Sequence, residues 1–354
     1  MTVYIVDIEP VETRYTAQWK KYLPQQMQDF LKTDVVVISG GETPQATTPG
    51  AFLNFGGTNV YKSNQLMQIG EMFCNGTVKD GDYFLYTDAW NPTVIQLRYM
   101  AELLGVNIRV GGLWHAGSYD PQDFLGRLIG DKPWVRRAEQ SMFACFDDNF
   151  FATEFHYELF DQAHGEHLEA WDSAYKRAGW PMEYLQHELA EYSNLQKEDI
   201  IIFPHRVAPE KQPEIFKDLA EAMPQYEFVI AQERNLTKHE YHTLLGKSKM
   251  MFSANLQETL GISWYEAALV NTTPIVPDRL SYSEMAKATP DVLYPSEWTQ
   301  DWESYQKNKH LLINFIDNIM KKDNKNLNKS VADNLTDRWF SGETLYRFIR
   351  QSTA

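Results

Sequence analysis

The stretch Lys249–Pro277, KMMFSANLQETLGISWYEAALVNTTPIVP, decides the fold. Lys249 to Ser253 is an apolar run of strand length. The chain then turns through Gly261 and opens a helix over Ile262 to Val270. Pro274 to Pro277 is a second short apolar run. Strand, helix and strand in this order make a βαβ unit, the building block of parallel sheets. The turn presents free backbone N–H groups and the positive end of a helix dipole at the end of a strand, which suits a diphosphate. Glu258 lies before the helix and Glu266 within it, so the two acids can touch different parts of one extended ligand. The spacing is equally compatible with Glu258 as a helix cap and Glu266 as a solvated acid.

The same alternation runs outward along the chain. Val3 to Ile8 reads as a strand, followed by a helix over Glu12 to Lys32 with Trp19, Leu23, Met27 and Leu31 at helical spacing. Strands follow at Asp34–Ser39, Tyr83–Thr87, Asn107–Trp114 and Phe150–Phe155. Helices lie between them at Asn59–Cys74, at Val94–Leu104, closed by Gly105, and at Trp134–Phe146. The pattern blurs over His156–Gln196 and restarts with a strand at Asp199–Phe203. The stretch KKDNKNLNK after a long helix ending near Lys321 reads as a linker. The expectation is an α/β chain of two Rossmann-like, doubly wound domains facing a cleft. They span residues 1–165 and 198–330, with a junction over 166–197. A C-terminal helix within 331–354 is expected to pack back toward the first domain.

Length and charge fit this division. The chain has 354 residues, enough for two full cores. It carries 48 acids against 33 bases, a formal charge of −15, which argues against bulk capture of nucleic acid or anionic membrane. No apolar run reaches the ~20 residues of a membrane-crossing helix. Met1 to Pro10 holds two acids and no base, unlike a signal peptide, so a cytoplasmic location is expected. Cys74 and Cys145 give no disulfide framework.

A second constellation is Phe203-Pro-His-Arg206-Val-Ala-Pro-Glu-Lys211. It follows a strand, where ligands bind in open α/β sheets. Arg206 offers a planar fork and Lys211 a point charge, a suitable pair for two phosphates, although in isolation a surface charge pair reads slightly better. Taken with Glu258 and Glu266, the chain resembles the GT-B glycosyltransferases, specifically those like family 4. These carry an Arg and a Lys after the first strand of their C-terminal domain and an E-x₇-E motif further on. The flanks agree: a Phe228-Val-Ile strand, Tyr241 on the next helix, Gly261 in the turn and Thr273-Pro-Ile-Val-Pro277.

The resemblance implies a retaining glycosyltransferase with a nucleotide-sugar co-substrate, UDP-linked, and no essential metal or other cofactor. Arg206 and Lys211 would neutralise the diphosphate, helped by amides near Thr259, Leu260 and Gly261. Glu258 would touch sugar hydroxyls, Glu266 the ribose, and Gln232 to Arg234 the base. His115, in Leu113-Trp-His-Ala-Gly117, would stand near the donor sugar and acceptor. The family's Gly-rich loop after the first strand is missing. Glu12, Thr13, Arg14 and Tyr15 are candidates for an acceptor site in its place.

Arg127, Lys132, Arg136 and Arg137 surround Trp134, a basic and aromatic mixture that suits a nucleic-acid backbone and an unstacked base. A solvated helix face reads equally well. The segment Pro277–Met285 and the unusual first loop resemble bacteriophage-type glycosyltransferases, some of which modify hydroxymethylated pyrimidines in double-stranded DNA. Rival acceptors are a glycan, a lipid-linked sugar or a small metabolite. A non-catalytic sugar-nucleotide-binding module is a further alternative. Asp80-Gly-Asp82 precedes its strand and reads as a turn rather than a metal motif. The pairs His164/His167 and His239/His242 lack a third ligand and read as surface histidines.

Overall fold

The computed structural model describes residues 1–11, 14–43, 53–165 and 175–352. The chain forms two compact units. The first comprises Met1–Ala152, His156–Pro181 and Gly342–Ala354, and the second Thr153–Phe155 and Met182–Ser341.

Among its described residues the first unit holds six strands: β1 (Thr2–Val6), β2 (Asp34–Ile38), β3 (Tyr83–Tyr86), β4 (Arg109–Leu113), β5 (Asp148–Phe151) and β6 (Tyr175–Arg177). All neighbours pair in parallel, in the order β2-β1-β3-β4-β5-β6. The central β3 is buried along its whole length, as expected for a strand covered on both faces. The helix Tyr15–Leu31 buries Thr16, Trp19, Leu23, Met27 and Leu31, the apolar stripe its sequence spacing predicts. Trp114 stacks on Phe151 with ring centroids 5.9 Å apart and meets Phe160 at 4.7 Å. Gly112 in β4 is required by this packing, because a Cβ there would lie 2.7 Å from the Phe146 ring.

The second unit has five parallel strands: β7 (Glu198–Phe203), β8 (Glu227–Ile230), β9 (Ser248–Phe252), β10 (Thr273–Pro277) and β11 (Leu293–Tyr294). Their order is β11-β10-β9-β7-β8. The Lys249–Pro277 stretch is the β9-helix-β10 unit, its helix running Ile262–Leu269.

Three expectations need correction. The stretch His156–Gln196, where the alternation blurs, contains most of a helix, Glu154–His164, and β6, which pairs with β5 in the first sheet. The KKDNKNLNK stretch is no linker: a helix runs Lys325–Arg338 and buries Asn328, Val331 and Leu335. Its apolar stripe starts beyond the polar run that dominates the local composition. Finally, the run around Phe150 leaves the strand at Phe151, since a helix begins at Glu154. The last helix, Glu343–Ser352, belongs to the first unit.

Candidate functional site

Each sheet reverses its strand order once, and such a reversal opens a crevice at the C-terminal strand ends. In the second unit the reversal lies between β7 and β9. Two segments leave the sheet there: residues 204–212 after β7 and 253–261 after β9.

These segments are tied together through backbone and side chain. Leu256 N–H donates to the Glu210 carbonyl at 2.8 Å. Gln212 Nε2 donates to the carbonyls of Ala254 (2.6 Å) and Thr299 (2.7 Å). Lys211 ends a short 3₁₀ turn, Pro209–Lys211, that aims its buried side chain across the crevice. Its Nζ donates to the Gln257 carbonyl at 2.6 Å and lies 3.6 Å from Glu258 Oε2. Arg206 donates from Nη2 to Glu210 Oε1 at 2.5 Å, and that carboxylate is wholly buried. Lys211 and Glu258 therefore meet across the two segments, while Arg206, on the Lys211 segment, is held by Glu210.

Glu258 is held from two sides. Asn255 Nδ2 reaches its Oε2 at 3.4 Å, and Thr259 N–H donates to its Oε1 at 3.2 Å. The Thr259 amide, expected to face a phosphate, is thus bonded to the preceding carboxylate. Leu260 is buried at the turn. Gly261 follows with φ +83°, a left-handed conformation, and the helix it opens has no side-chain cap. A Cβ on Gly261 would lie 3.0 Å from both the Trp264 and Tyr282 rings.

Glu266 is not a freely solvated acid. Tyr241 donates its hydroxyl to Glu266 Oε2 at 3.1 Å, and His242 Nε2 lies 3.8 Å from Oε1. Burial, and then the Glu266 charge, hold the Tyr241 phenol well above its ordinary range. Gln232 accepts the Val207 N–H and so joins the Arg206 segment. Arg234 does not join it; the guanidinium is exposed and pairs with Glu227 at 3.5 Å.

Sequence reasoning missed Arg279, which is largely buried and braces the crevice. It donates to Asn255 O (2.7 Å), Ala254 O (2.8 Å), Ser296 O (3.0 Å) and Thr299 Oγ1 (3.2 Å). Asn255 and Gln212 were missed likewise. The only signal available was an arginine directly after a strand end.

In the first unit the reversal lies between β1 and β3. His115 follows β4, and its Nε2 lies 2.7 Å from the Thr87 carbonyl. A carbonyl can only accept, so Nε2 carries the proton. Nδ1 therefore accepts the Tyr15 hydroxyl at 2.8 Å. Burial pulls the His115 pKa down, which favours the neutral ring. Trp19 and Trp180 pack on it at 5.8 and 5.3 Å. His115 and Tyr15 are thus brought together, with Arg14 over the Tyr15 ring at 5.7 Å. Glu12 and Thr13 lie outside the described residues.

The basic cluster is divided by the structure. Arg127, Lys132, Trp134 and Arg137 are exposed, Trp134 by 59%. Arg136 instead turns inward to Glu139 Oε2 (2.8 Å), the Ser118 carbonyl (3.1 Å) and Asp131 (2.9 Å). Glu139 also accepts Trp90 Nε1–H at 3.1 Å and Ser118 Oγ–H, and lies 3.0 Å from His164 Nε2. Burial raises the Glu139 pKa, but hydrogen bonds from His164, Ser118 and Trp90 outweigh it and leave the pKa low. Arg136 is therefore a core partner of a buried acid. His164 and His242 are buried too, not surface residues, while His167 lies outside the described residues.

Asp80 and Asp82 serve the turn before β3. They accept the backbone N–H groups of Asn107, Lys79 and Thr2 at 2.7–2.8 Å. Among the described residues no group of three or more His, Cys, Asp or Glu is placed to hold a metal ion. No helix of the described residues is long and apolar enough to cross a membrane.

Solved structures share this pair of parallel-sheet domains. The catalytic domain of starch synthase IV from Arabidopsis thaliana, bound to ADP and acarbose, is similar with a TM-score of 0.60 and 11% identity, covering 99% of each chain. Sucrose-phosphate synthase from Thermosynechococcus elongatus is similar at 0.60 and 12%, over 99% of this chain and 98% of that one. HepE from Anabaena, in complex with UDP and glucose, is similar at 0.56 and 11%, over 99% and 97%. The fold is that of the GT-B glycosyltransferases. No protein-family model and no curated protein matches the chain.

Proposed function

We propose that this GT-B chain is a glycosyltransferase that takes a sugar from a UDP-linked donor held by its second unit. The observation that carries the reading is the buried Lys211 aimed at Glu258, beside Arg206, at the β7/β9 reversal. A nearly buried ammonium is costly unless it is compensated, which Glu258 and the Gln257 carbonyl do here, and its place at a strand-end crevice makes it available to a diphosphate as well. The diphosphate would lie on Lys211 and Arg206, with the Leu260 and Gly261 amides adding N–H donors. Glu258 would receive a sugar hydroxyl and Glu266 the ribose.

The chemistry required is positioning and charge stabilisation on the departing diphosphate. Transfer with retention, the phosphate itself drawing the proton from the acceptor, needs no dedicated protein base. A neutral His115 with both ring nitrogens engaged accords with that reading. The acceptor we favour is the hydroxymethyl group of a modified pyrimidine in DNA. Arg127, Lys132 and Arg137 around an exposed Trp134 support it, now without Arg136.

The test is incubation with UDP-sugars and duplex DNA containing hydroxymethylcytosine, read by mass spectrometry of the bases. A base heavier by one sugar supports both halves of the proposal. Donor hydrolysis without base modification removes DNA as the acceptor. No turnover of any UDP-sugar, with no UDP binding, removes the donor assignment.

A further inference from the structure

At the end of the first sheet away from His115, the first unit holds an open cleft of about 630 Å³. Its walls are Arg109 at the start of β4, Asp147 and Asp148 at the start of β5, Lys176 in β6, and Phe348 and Gln351 on the last helix. β4 runs from Arg109 toward His115, so the cleft and the His115 cluster lie at opposite ends of that strand, roughly 20 Å apart at about 3.3 Å per residue. Small-molecule sites have volumes of about 300–1,000 Å³, so the space suits a ligand and not merely a water.

The floor of the cleft is built. Asp148 is 3% exposed, and its Oδ2 accepts the Tyr83 hydroxyl at 3.1 Å and the Ser352 hydroxyl at 3.2 Å, with Arg109 Nη2 at 3.3 Å. Gly111 makes room for this, because a Cβ there would run into the Tyr83 hydroxyl. Asp147 Oδ2 accepts the Val110 N–H at 2.7 Å and pairs with Arg98. These contacts fix the walls without closing them. The Arg109 side chain is 41% exposed, that of Asp147 30%, and Gln351 is exposed. Lys176 Nζ stands 6.0 Å from the centre of the Phe348 ring, which is half-buried against Phe150.

The walls carry two bases and two acids, so no net charge selects an ion. A phosphate would face Asp147, and an ammonium would face Arg109 and Lys176. An extended peptide would have to pair with β6, the edge strand, where Lys176 and Arg177 oppose strand addition. A neutral saccharide matches all the walls at once. Each of its hydroxyls donates one hydrogen bond and accepts others. Asp147 supplies an acceptor, Arg109 and Lys176 supply donors, and the Gln351 amide supplies both. The C–H face of a sugar ring is apolar and can rest on Phe348.

We propose that this cleft binds a short neutral saccharide, as a second sugar site apart from the crevice that holds the donor. It uses neither the Lys211 and Glu258 segments nor the His115 cluster, so it stands independently of the transfer reaction. Such a site holds a sugar-bearing molecule without touching its reacting end.

The test is calorimetric titration of the full chain with maltotriose, cellotriose and triacetylchitotriose, with inorganic phosphate as the ionic probe. Saturable binding of at least one saccharide is expected, and UDP should not displace it. Gln351→Trp sets a bulky ring in the cleft from an exposed helix position and should weaken that binding at least tenfold. Lys176→Ala removes one donor and should weaken it as well, which keeps the test open if Gln351→Trp fails to match the parent in thermal unfolding. Binding of none of the three saccharides overturns the inference, as does unchanged affinity in either folded variant. Displacement by UDP places the sugar in the donor crevice and overturns it too. Phosphate that binds more tightly than every saccharide and is lost in Gln351→Trp replaces it with an anion site.

Discussion

Lys211 and Glu258 face one another across the β7/β9 crevice, the ammonium 3.6 Å from the carboxylate and hydrogen-bonded to the carbonyl of the residue before it. The two residues come from separate loops, so the pair exists only because parallel strands deliver both loops to one sheet edge. Lys211→Met removes the ammonium and leaves the stem to fill its space. A hydrogen bond to a charged group is worth roughly 1.5–3 kcal/mol, so UDP should bind about ten- to a hundredfold more weakly. Calorimetric titration with UDP measures this. Unaltered affinity in folded Lys211→Met would falsify the donor-site assignment.

Arg279 shapes that site without being part of it. Its fork donates to three carbonyls and a hydroxyl, two of them on Ala254 and Asn255, just ahead of Glu258. Lysine carries the charge but not the fork, so Arg279→Lys leaves buried carbonyls unpaired. Stability should fall by about 1–3 kcal/mol in urea unfolding, with a smaller loss of UDP affinity than Lys211→Met gives. A variant as stable as the parent would show that the brace is dispensable.

These residues mark what could be read from the chain. The stripe Trp19, Leu23, Met27 and Leu31 is legible because helical burial is set by local spacing. The closeness of Lys211 and Glu258 is legible in part, because each follows a strand and parallel strands bring such segments to one end of the sheet. Arg279, Gln212 and Asn255 are not, since their work is set by carbonyls that distant segments supply. Arg136 misled for the opposite reason. Its composition matched a basic patch, but Glu139, one helical turn on, is buried and draws it inward.

That distinction separates two neighbouring arginines by experiment. Arg136→Gln removes the partner of a buried carboxylate and should cost about 2 kcal/mol or more, softened by the donors Glu139 retains. Arg137→Gln changes an exposed side chain and should cost at most about 0.5 kcal/mol. If DNA is bound, Arg137→Gln together with Arg127→Gln should instead lower the slope of log affinity against log salt by nearly two. Equal stability losses at positions 136 and 137 would contradict the buried role of Arg136. An unchanged slope would remove the patch from the acceptor site.

Asp7 gives a prediction in which stability and pH are linked. Burial lifts its pKa from 3.8 to about 6, the hydrogen bonds from Tyr61, Ser39 and Gln65 and the charge of Lys20 only partly opposing it. The folded state therefore binds the proton more tightly than the unfolded chain. Between roughly pH 4 and 6 the folded form holds more protons, so this residue weakens the fold as pH rises through that window. Above it the penalty is constant, about 2–3 kcal/mol at 1.36 kcal/mol per pKa unit. An asparagine in its place keeps the acceptor for Tyr61 and has no charge to bury. Asp7→Asn should therefore stabilise the protein by up to about 2–3 kcal/mol at pH 8, and the gain should shrink toward zero as pH falls to 4. Urea unfolding of both proteins across this range measures it. A gain that grows on acidification, or a loss at pH 8, would mean that the buried carboxylate is stabilised by partners other than those around it here. A gain at pH 8 would set Asp7 apart from ordinary core residues, as a group held ionised at a cost to the fold.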